Sequence, residues 1–177
     1  NTTLTSTASG AVGFGAAVNG TTAGTQSLTV STAGTTTFGG AVGGTTTLSS
    51  LTASAGAVAM NGGAVTTTGA QSYGAMALGA NTTLTSSSTG AITVAGGSGG
   101  FGLTINTAGI TSLTGAFSGL TTLTTDSAGS NTITGDVATS GAISFGGATT
   151  ITGTRSISSS GSSVAFGSNV NGAAELS

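Results

Sequence analysis

Very few residues in this chain could do chemistry. The charged residues are Asp126, Asp136, Glu175 and Arg155, and His, Lys and Cys are absent. Without His or Lys, neither a Ser–His–Asp nor a Ser–Lys nucleophile can be assembled. Without Cys there is no disulfide and no thiolate metal site. Asp126 and Asp136 are ten residues apart and read as isolated turn carboxylates, not as a paired acid and base. The sequence therefore predicts no catalytic, cofactor-binding or metal-binding residues, and no enzyme.

Several motifs resemble functional ones and fail on their context. Gly97-Ser-Gly99-Gly-Phe-Gly102 matches a dinucleotide fingerprint and follows the strand-like Ile92-Thr-Val94. That fingerprint needs a helix after it, whereas Leu103-Thr-Ile105 reads as strand. Calcium-binding glycine repeats need an Asp in each turn, and Gly96 to Gly102 contains none. A Walker-type phosphate loop needs a Lys. Asn1-Thr-Thr, Asn19-Gly-Thr and Asn81-Thr-Thr are sequons, a weak signal in so Thr-rich a chain. One Arg cannot neutralise a nucleic-acid backbone. No run of about 18 apolar residues suggests a transmembrane helix.

What remains is a scaffold. Charged residues make up 2% of the chain, against about 25% in an ordinary domain. Yet 36% of residues are hydrophobic and mean hydropathy is +0.40, so the pattern favours a folded chain with a Thr, Ser, Gly and Asn surface over disorder. Near-zero charge favours association.

The apolar residues recur. Val12-Gly-Phe14-Gly-Ala-Ala-Val18-Asn-Gly20 returns as Val164-Ala-Phe166-Gly-Ser-Asn-Val170-Asn-Gly172. Leu28-Thr-Val30-Ser-Thr-Ala-Gly34 returns as Leu103-Thr-Ile105-Asn-Thr-Ala-Gly109, and the match continues from Phe38 to Leu113, Val42 to Phe117 and Leu48 to Leu123. Asn1 to Ser6 recurs unchanged at Asn81 to Ser86. These matches divide a single segment, 1–177, into long repeats at 1–80 and 81–153 with a partial third at 154–177.

Inside them runs a looser period of roughly 20 residues, within the range of solenoid windings. Its marks are apolar triplets with a small or polar centre: Val12/Phe14, Leu28/Val30, Val58/Met60, Ile92/Val94, Leu103/Ile105, Ile143/Phe145 and Val164/Phe166. Apolar pairs four apart accompany them: Phe14/Val18, Phe38/Val42, Leu113/Phe117, Ile133/Val137 and Phe166/Val170. Both spacings place side chains on one face of a strand. The 34 Gly oppose helices, while Thr and Val favour strands. Turns are marked by Asn19-Gly20, Asn61-Gly62-Gly63, Gly96-Gly97 and Asn171-Gly172. Asn-Gly is also a hairpin signal, which leaves an antiparallel meander open.

The expected fold is all-β: a parallel β-helix, or β-solenoid, of roughly 20 residues per winding and right-handed. Two to four large apolar residues per winding cannot offset the entropy of ordering that winding, so stability comes only with stacked neighbours. Stacking would turn Thr clusters into outward ladders, with Thr35, Thr37, Thr45, Thr47, Thr66, Thr68, Thr122 and Thr124 as the candidate surface. The structural reading is that Thr suits a solvent-facing strand. The functional readings are lateral association or a hydroxyl lattice of the kind ice-binding solenoids present. Asn61, Asn106 and Asn131 are candidates for internal Asn stacks.

Runs such as Ser31-Thr-Ala-Gly-Thr-Thr-Thr-Phe38-Gly-Gly-Ala-Val42-Gly-Gly-Thr-Thr-Thr-Leu48 resemble the Thr/Gly-rich repeats of filamentous-haemagglutinin-like exoproteins of two-partner secretion and autotransporter-type passengers. The resemblance spans nearly the whole chain. It implies a right-handed parallel β-helix, export across a Gram-negative outer membrane, and a stalk-like role in adhesion, matrix or sheath. The expectation is thus an extracellular structural or adhesive fibre segment that self-associates into filaments and contacts other surface or matrix components. The alternative is an ice-binding or other ligand-binding solenoid.

Overall fold

In the computed structural model, which describes residues 1–172, the chain winds about one axis as a three-sided β-solenoid of about eight turns. The first winding runs β1 (Thr2–Ser6), β2 (Val12–Phe14) and the bridged residue Val18. The second runs β3 (Ser27–Thr32), β4 (Thr36–Phe38) and Val42, and the third β5 (Ser50–Ala53), β6 (Val58–Met60) and β7 (Ala64–Thr67). Then come β8 (Gln71–Tyr73), β9 (Met76–Leu78) and β10 (Thr82–Ser86), followed by β11 (Ile92–Val94), β12 (Gly97–Ser98) and β13 (Leu103–Thr107). Next are β14 (Ile110–Leu113), β15 (Phe117–Leu120) and β16 (Leu123–Thr125), then β17 (Ser130–Ile133), β18 (Val137–Thr139) and β19 (Ile143–Phe145). The path ends with β20 (Ala148–Ile151), β21 (Ile157–Ser159), β22 (Val164–Phe166) and β23 (Val170–Gly172).

Each winding contributes one strand to each side, except that the first two give the third side only the bridged residues Val18 and Val42. The first sheet has nine strands, the second eight and the third six, and every pairing is parallel. Asn19-Gly20 and Asn61-Gly62 carry the chain around corners, whereas Asn171-Gly172 lies within β23; the meander is not formed. Parallel pairing places each strand one full winding from its partner. The steps are irregular, from Thr2–Leu28 at the long end to Asn131–Thr149 at the short end.

The period of two within strands decides what is inside. On the first sheet the inward columns include Leu28, Leu51 and Ile92, and beside them Val30, Tyr73, Val94, Leu113 and Ile133, all buried. Phe38, Val58, Met60, Phe117 and Val137 fill the second side; Val42, Leu103, Ile105, Ile143 and Phe145 fill the third. Val12, Phe14, Val18, Phe166 and Val170 also face the core but are only partly buried, and Val164 is 36% exposed although it is in register with buried Ile143. The cause is position: these six lie in the outermost windings, which have a neighbour on one side only. Aromatic stacks reach toward both ends, with ring centroids 5.2 Å apart for Phe14–Phe38 and 5.4 Å for Phe145–Phe166.

The corners are set by glycine. A Cβ on Gly56 would overlap the Gly34 carbonyl oxygen, one on Gly74 that of Gly56, and one on Gly135 that of Gly115. All five lie at the turn from first to second side, so successive windings touch there backbone to backbone. Inside, polar side chains are paired. Gln71 Nε2 donates to Thr67 Oγ1 (3.0 Å) and the Thr85 carbonyl (2.8 Å), while the Tyr73 hydroxyl donates to Gln71 Oε1 (2.8 Å). Among the described residues no buried side-chain polar atom lacks a partner.

The long sequence repeat does not match a whole number of windings. β10, which repeats β1, is the ninth element after it, and the bridges at Val18 and Val42 stand for two further sides; the copy thus begins eleven sides on. β21 is the eleventh element after β10 and opens the partial third copy. Eleven sides on a three-sided rod make three and two-thirds turns. The segment Thr-Thr-Leu-Thr-Ser therefore falls on the first sheet as β1 and on the third as β10, and its third-copy counterpart around Ile157 falls on the second as β21.

Candidate functional site

The residues singled out for chemistry are dispersed. Asp126 follows β16 at the corner after the third sheet. Asp136 precedes β18 on the second sheet, where its Oδ1 accepts the Ser156 amide hydrogen bond at 3.0 Å. Arg155 is exposed and its Nε donates to the Thr152 carbonyl at 3.0 Å. Glu175 lies outside the described residues. Among the described residues no cluster of three or more His, Cys, Asp or Glu could hold a metal ion.

The dinucleotide-like glycines are structural. Gly97 opens β12 at an inward position, where a Cβ would strike the Phe117 ring at 2.8 Å. Gly99 and Gly100 turn with φ of 125° and 71°, and the chain enters strand β13 instead of a helix. The sequon asparagines tie one winding to the next. Asn1 Oδ1 accepts from the Ser27 amide (3.1 Å), Asn19 Oδ1 from Thr45 (3.0 Å), and Asn81 Oδ1 from Gly102 (2.9 Å). No internal Asn stack forms: Asn61 is exposed in a turn, Asn106 points outward from β13, and only Asn131 is buried, donating to the Gly147 carbonyl and Thr149 Oγ1 at 3.2 Å.

The eight Thr candidates do not make one surface, contrary to expectation. Thr37 points outward on the second sheet between Gly13 and Ala59. Thr66 pairs with Thr85 on the third sheet, and Thr124 lies there between Thr104 and Ser144. Thr35, Thr45, Thr47, Thr68 and Thr122 lie outside the strands, at corners. Where consecutive Thr enter a strand, alternation buries one of them, as at Thr36, Thr67 and Thr125, so the runs do not line up on one outer face.

The third sheet carries an outward column of Thr83, Thr104, Thr124 and Ser144, and a longer one lies on the first sheet. On the first sheet one outward column runs Thr3, Thr29, Thr52, Ser72, Thr93, Ser112, Thr132, Thr150 and Asn171, each in register with the next. It crosses all nine strands without a break. The apolar triplets held the signal, because the centre of Leu28-Thr-Val30 or Ile92-Thr-Val94 must face out when its neighbours face in. The second sheet is less regular: its register shifts between Phe117 and Leu120, and Gly119 has φ 72°. Beside that shift lies a shallow cleft of about 380 Å³ edged by Gly119, Ser140, Ser158 and Ser160. Ala138 and Thr139 also line it, and no charged side chain does.

No protein-family model matches the chain, and no curated protein or solved structure matches it.

Proposed function

We propose that the chain is a rod segment of an extracellular fibre, adhesin or sheath on a Gram-negative bacterial surface, acting by self-association and surface contact. The observation that carries this reading is the uninterrupted parallel ladder with an exterior of Thr, Ser, Gly and Asn. Such a body offers length, stiffness and large uncharged sides, which are the properties of a spacer or stalk. Its likeness to the repeats of filamentous-haemagglutinin-like exoproteins supplies the cell-surface setting. Immunogold electron microscopy with antibodies against the folded segment tests it. Label on thin filaments outside intact source cells is expected; label confined to the cell interior overturns the reading.

A second reading is favoured by the first-sheet column. Neighbouring strands stand about 4.8 Å apart, so the outward hydroxyls form a regular row of that spacing along which water could be ordered. Thermal hysteresis of the purified chain is the corresponding measurement, and its absence at high concentration eliminates that alternative.

A further inference from the structure

We infer that Asn61 is a site of spontaneous self-modification: it converts, through a cyclic imide formed with the Gly62 nitrogen, to aspartate and isoaspartate, while Asn19 and Asn171 are protected by the fold. The chemistry uses only the chain and water. The Gly62 amide loses its proton to hydroxide and its nitrogen attacks Asn61 Cγ. The new C–N bond closes the imide, the bond from Cγ to the side-chain nitrogen breaks, and that nitrogen leaves as ammonia. Water then opens the ring at either carbonyl. One opening leaves an ordinary Asp; the other routes the main chain through Cγ as isoaspartate. No electrons are transferred. Glycine on the far side favours the attack because no Cβ shields its nitrogen. Asn1, Asn81, Asn106 and Asn131 precede Thr and Asn169 precedes Val, whose branched side chains crowd the same nitrogen. Only Asn19, Asn61 and Asn171 precede Gly.

The three pairs differ in how firmly they are held. Asn19 Oδ1 accepts from the Thr45 and Thr46 amides at 3.0 and 3.3 Å, and the Gly20 amide donates to the Thr46 carbonyl at 3.0 Å. Bringing Asn19 Cγ onto the Gly20 nitrogen breaks all three contacts. Asn171 lies in β23, in register with Thr150. A strand holds its side chains roughly perpendicular to the sheet and away from the next amide, so ring closure there requires β23 to leave the ladder. Asn61 sits exposed in a turn, and no hydrogen bond to another described residue holds its side chain. The Gly62 amide does donate to the Phe38 carbonyl at 3.1 Å, but that oxygen also accepts from the Asn61 amide at 2.9 Å. Freeing the Gly62 nitrogen therefore leaves the carbonyl paired.

The products alter one corner of the rod. An amide becomes a carboxylate, adding a negative charge to a chain whose formal net charge is −2. Isoaspartate also lengthens the main chain by a carbon atom beside Gly62, where a mere Cβ would already overlap the Gly40 main chain.

The test incubates the whole chain in mildly alkaline buffer, folded or unfolded in urea, and follows the amide-to-acid mass gain at each Asn by peptide mass mapping. In the folded chain Asn61 should convert at least about tenfold faster than Asn19, which must first give up three ordinary hydrogen bonds, and at least as far ahead of Asn171. In urea the three rates should agree within about threefold, because all three Asn precede Gly and the fold no longer separates them. Asn61→Gln, with its folding checked by circular dichroism, should remove the early acidic species that ion exchange resolves from the folded wild type. An Asn61 that stays intact, an Asn19 or Asn171 that converts as fast in the folded chain, a lead of Asn61 that persists in urea, or early acidic species that survive Asn61→Gln each overturns the inference.

Discussion

Replacing Gly135 by Ala probes the corner contact that fixes the pitch of the rod. Gly135 is buried between β17 and β18, and a Cβ there would overlap the carbonyl oxygen of Gly115 and crowd its carbonyl carbon. The obstruction is main chain within a ladder, so no rotamer change relieves it. Overpacking of one methyl costs about 1–3 kcal/mol. The gain from a less flexible unfolded chain returns only about 0.4–1 kcal/mol. A net loss of about 1–2 kcal/mol follows, which in a chain of this size lowers the thermal midpoint by roughly 2–8 °C. Gly13→Ala is the matched control, because no atom lies within 4 Å of its added Cβ. In an exposed strand Ala is favoured over Gly by about 0.5–1 kcal/mol, so this variant should be neutral or slightly stabilised. Thermal and urea unfolding followed by far-ultraviolet circular dichroism read both. A Gly135→Ala protein as stable as the wild type would refute the backbone-to-backbone corner.

Three further outcomes follow from particular contacts. Burial raises the Tyr73 hydroxyl well above its ordinary value of 10.0. The unfolded phenol ionises first, so stability is whole below about pH 10 and falls by about 1.4 kcal/mol per pH unit as pH climbs from there toward the folded value. Tyr73→Phe, which removes the sole Tyr, should flatten that alkaline decline in thermal midpoint while lowering stability at neutral pH by about 1–2 kcal/mol, because Gln71 Oε1 loses its Tyr73 donor. Asn81→Ala should cost about 0.5–1.5 kcal/mol in urea unfolding through loss of the Gly102 contact, whereas Asn81→Asp keeps the acceptor oxygen and most of the stability. Trypsin should cut the folded chain once, after exposed Arg155, the sole basic residue; mass spectrometry showing an uncut chain would place Arg155 in a protected setting.

The fold was readable because the interior needs only apolar side chains two apart at each return of the chain. Leu28/Val30, Ile92/Val94 and Leu103/Ile105 announce that rule locally, and all six are buried. The outer surface was harder to read. Which Thr are neighbours depends on the length of each winding, and that length varies because corners hold different numbers of residues. Thr3 meets Thr29 and Thr29 meets Thr52, steps that no fixed period supplies. The runs Thr35–Thr37 and Thr66–Thr68 straddle strand and corner, with Thr36 and Thr67 buried, and so do not mark one face. The burial of Asn131 and the exposure of Asn61 were equally hidden, since one falls on an inward strand position and the other in a turn.

The mismatch between an eleven-side repeat and a three-sided rod has a physical consequence for how such a surface is encoded. Were the repeat nine or twelve sides long, each copy would return to the same side and one motif would build one continuous stripe. With eleven, every copy arrives a third of a turn away, so duplication by itself spreads each motif over all sides. The first and third sheets share their outward hydroxyls at the same repeat positions, Thr29 with Thr104, Thr52 with Thr124 and Ser72 with Ser144, while the second sheet departs, with Ala59 against Thr132 and Ala77 against Thr150. The inward positions face no such demand, because all three sides close on the same apolar interior: Phe14, Val94 and Phe166 serve equally on the second, first and third sheets. The core can therefore be copied freely around the rod, while the exterior differs between the second side and the other two.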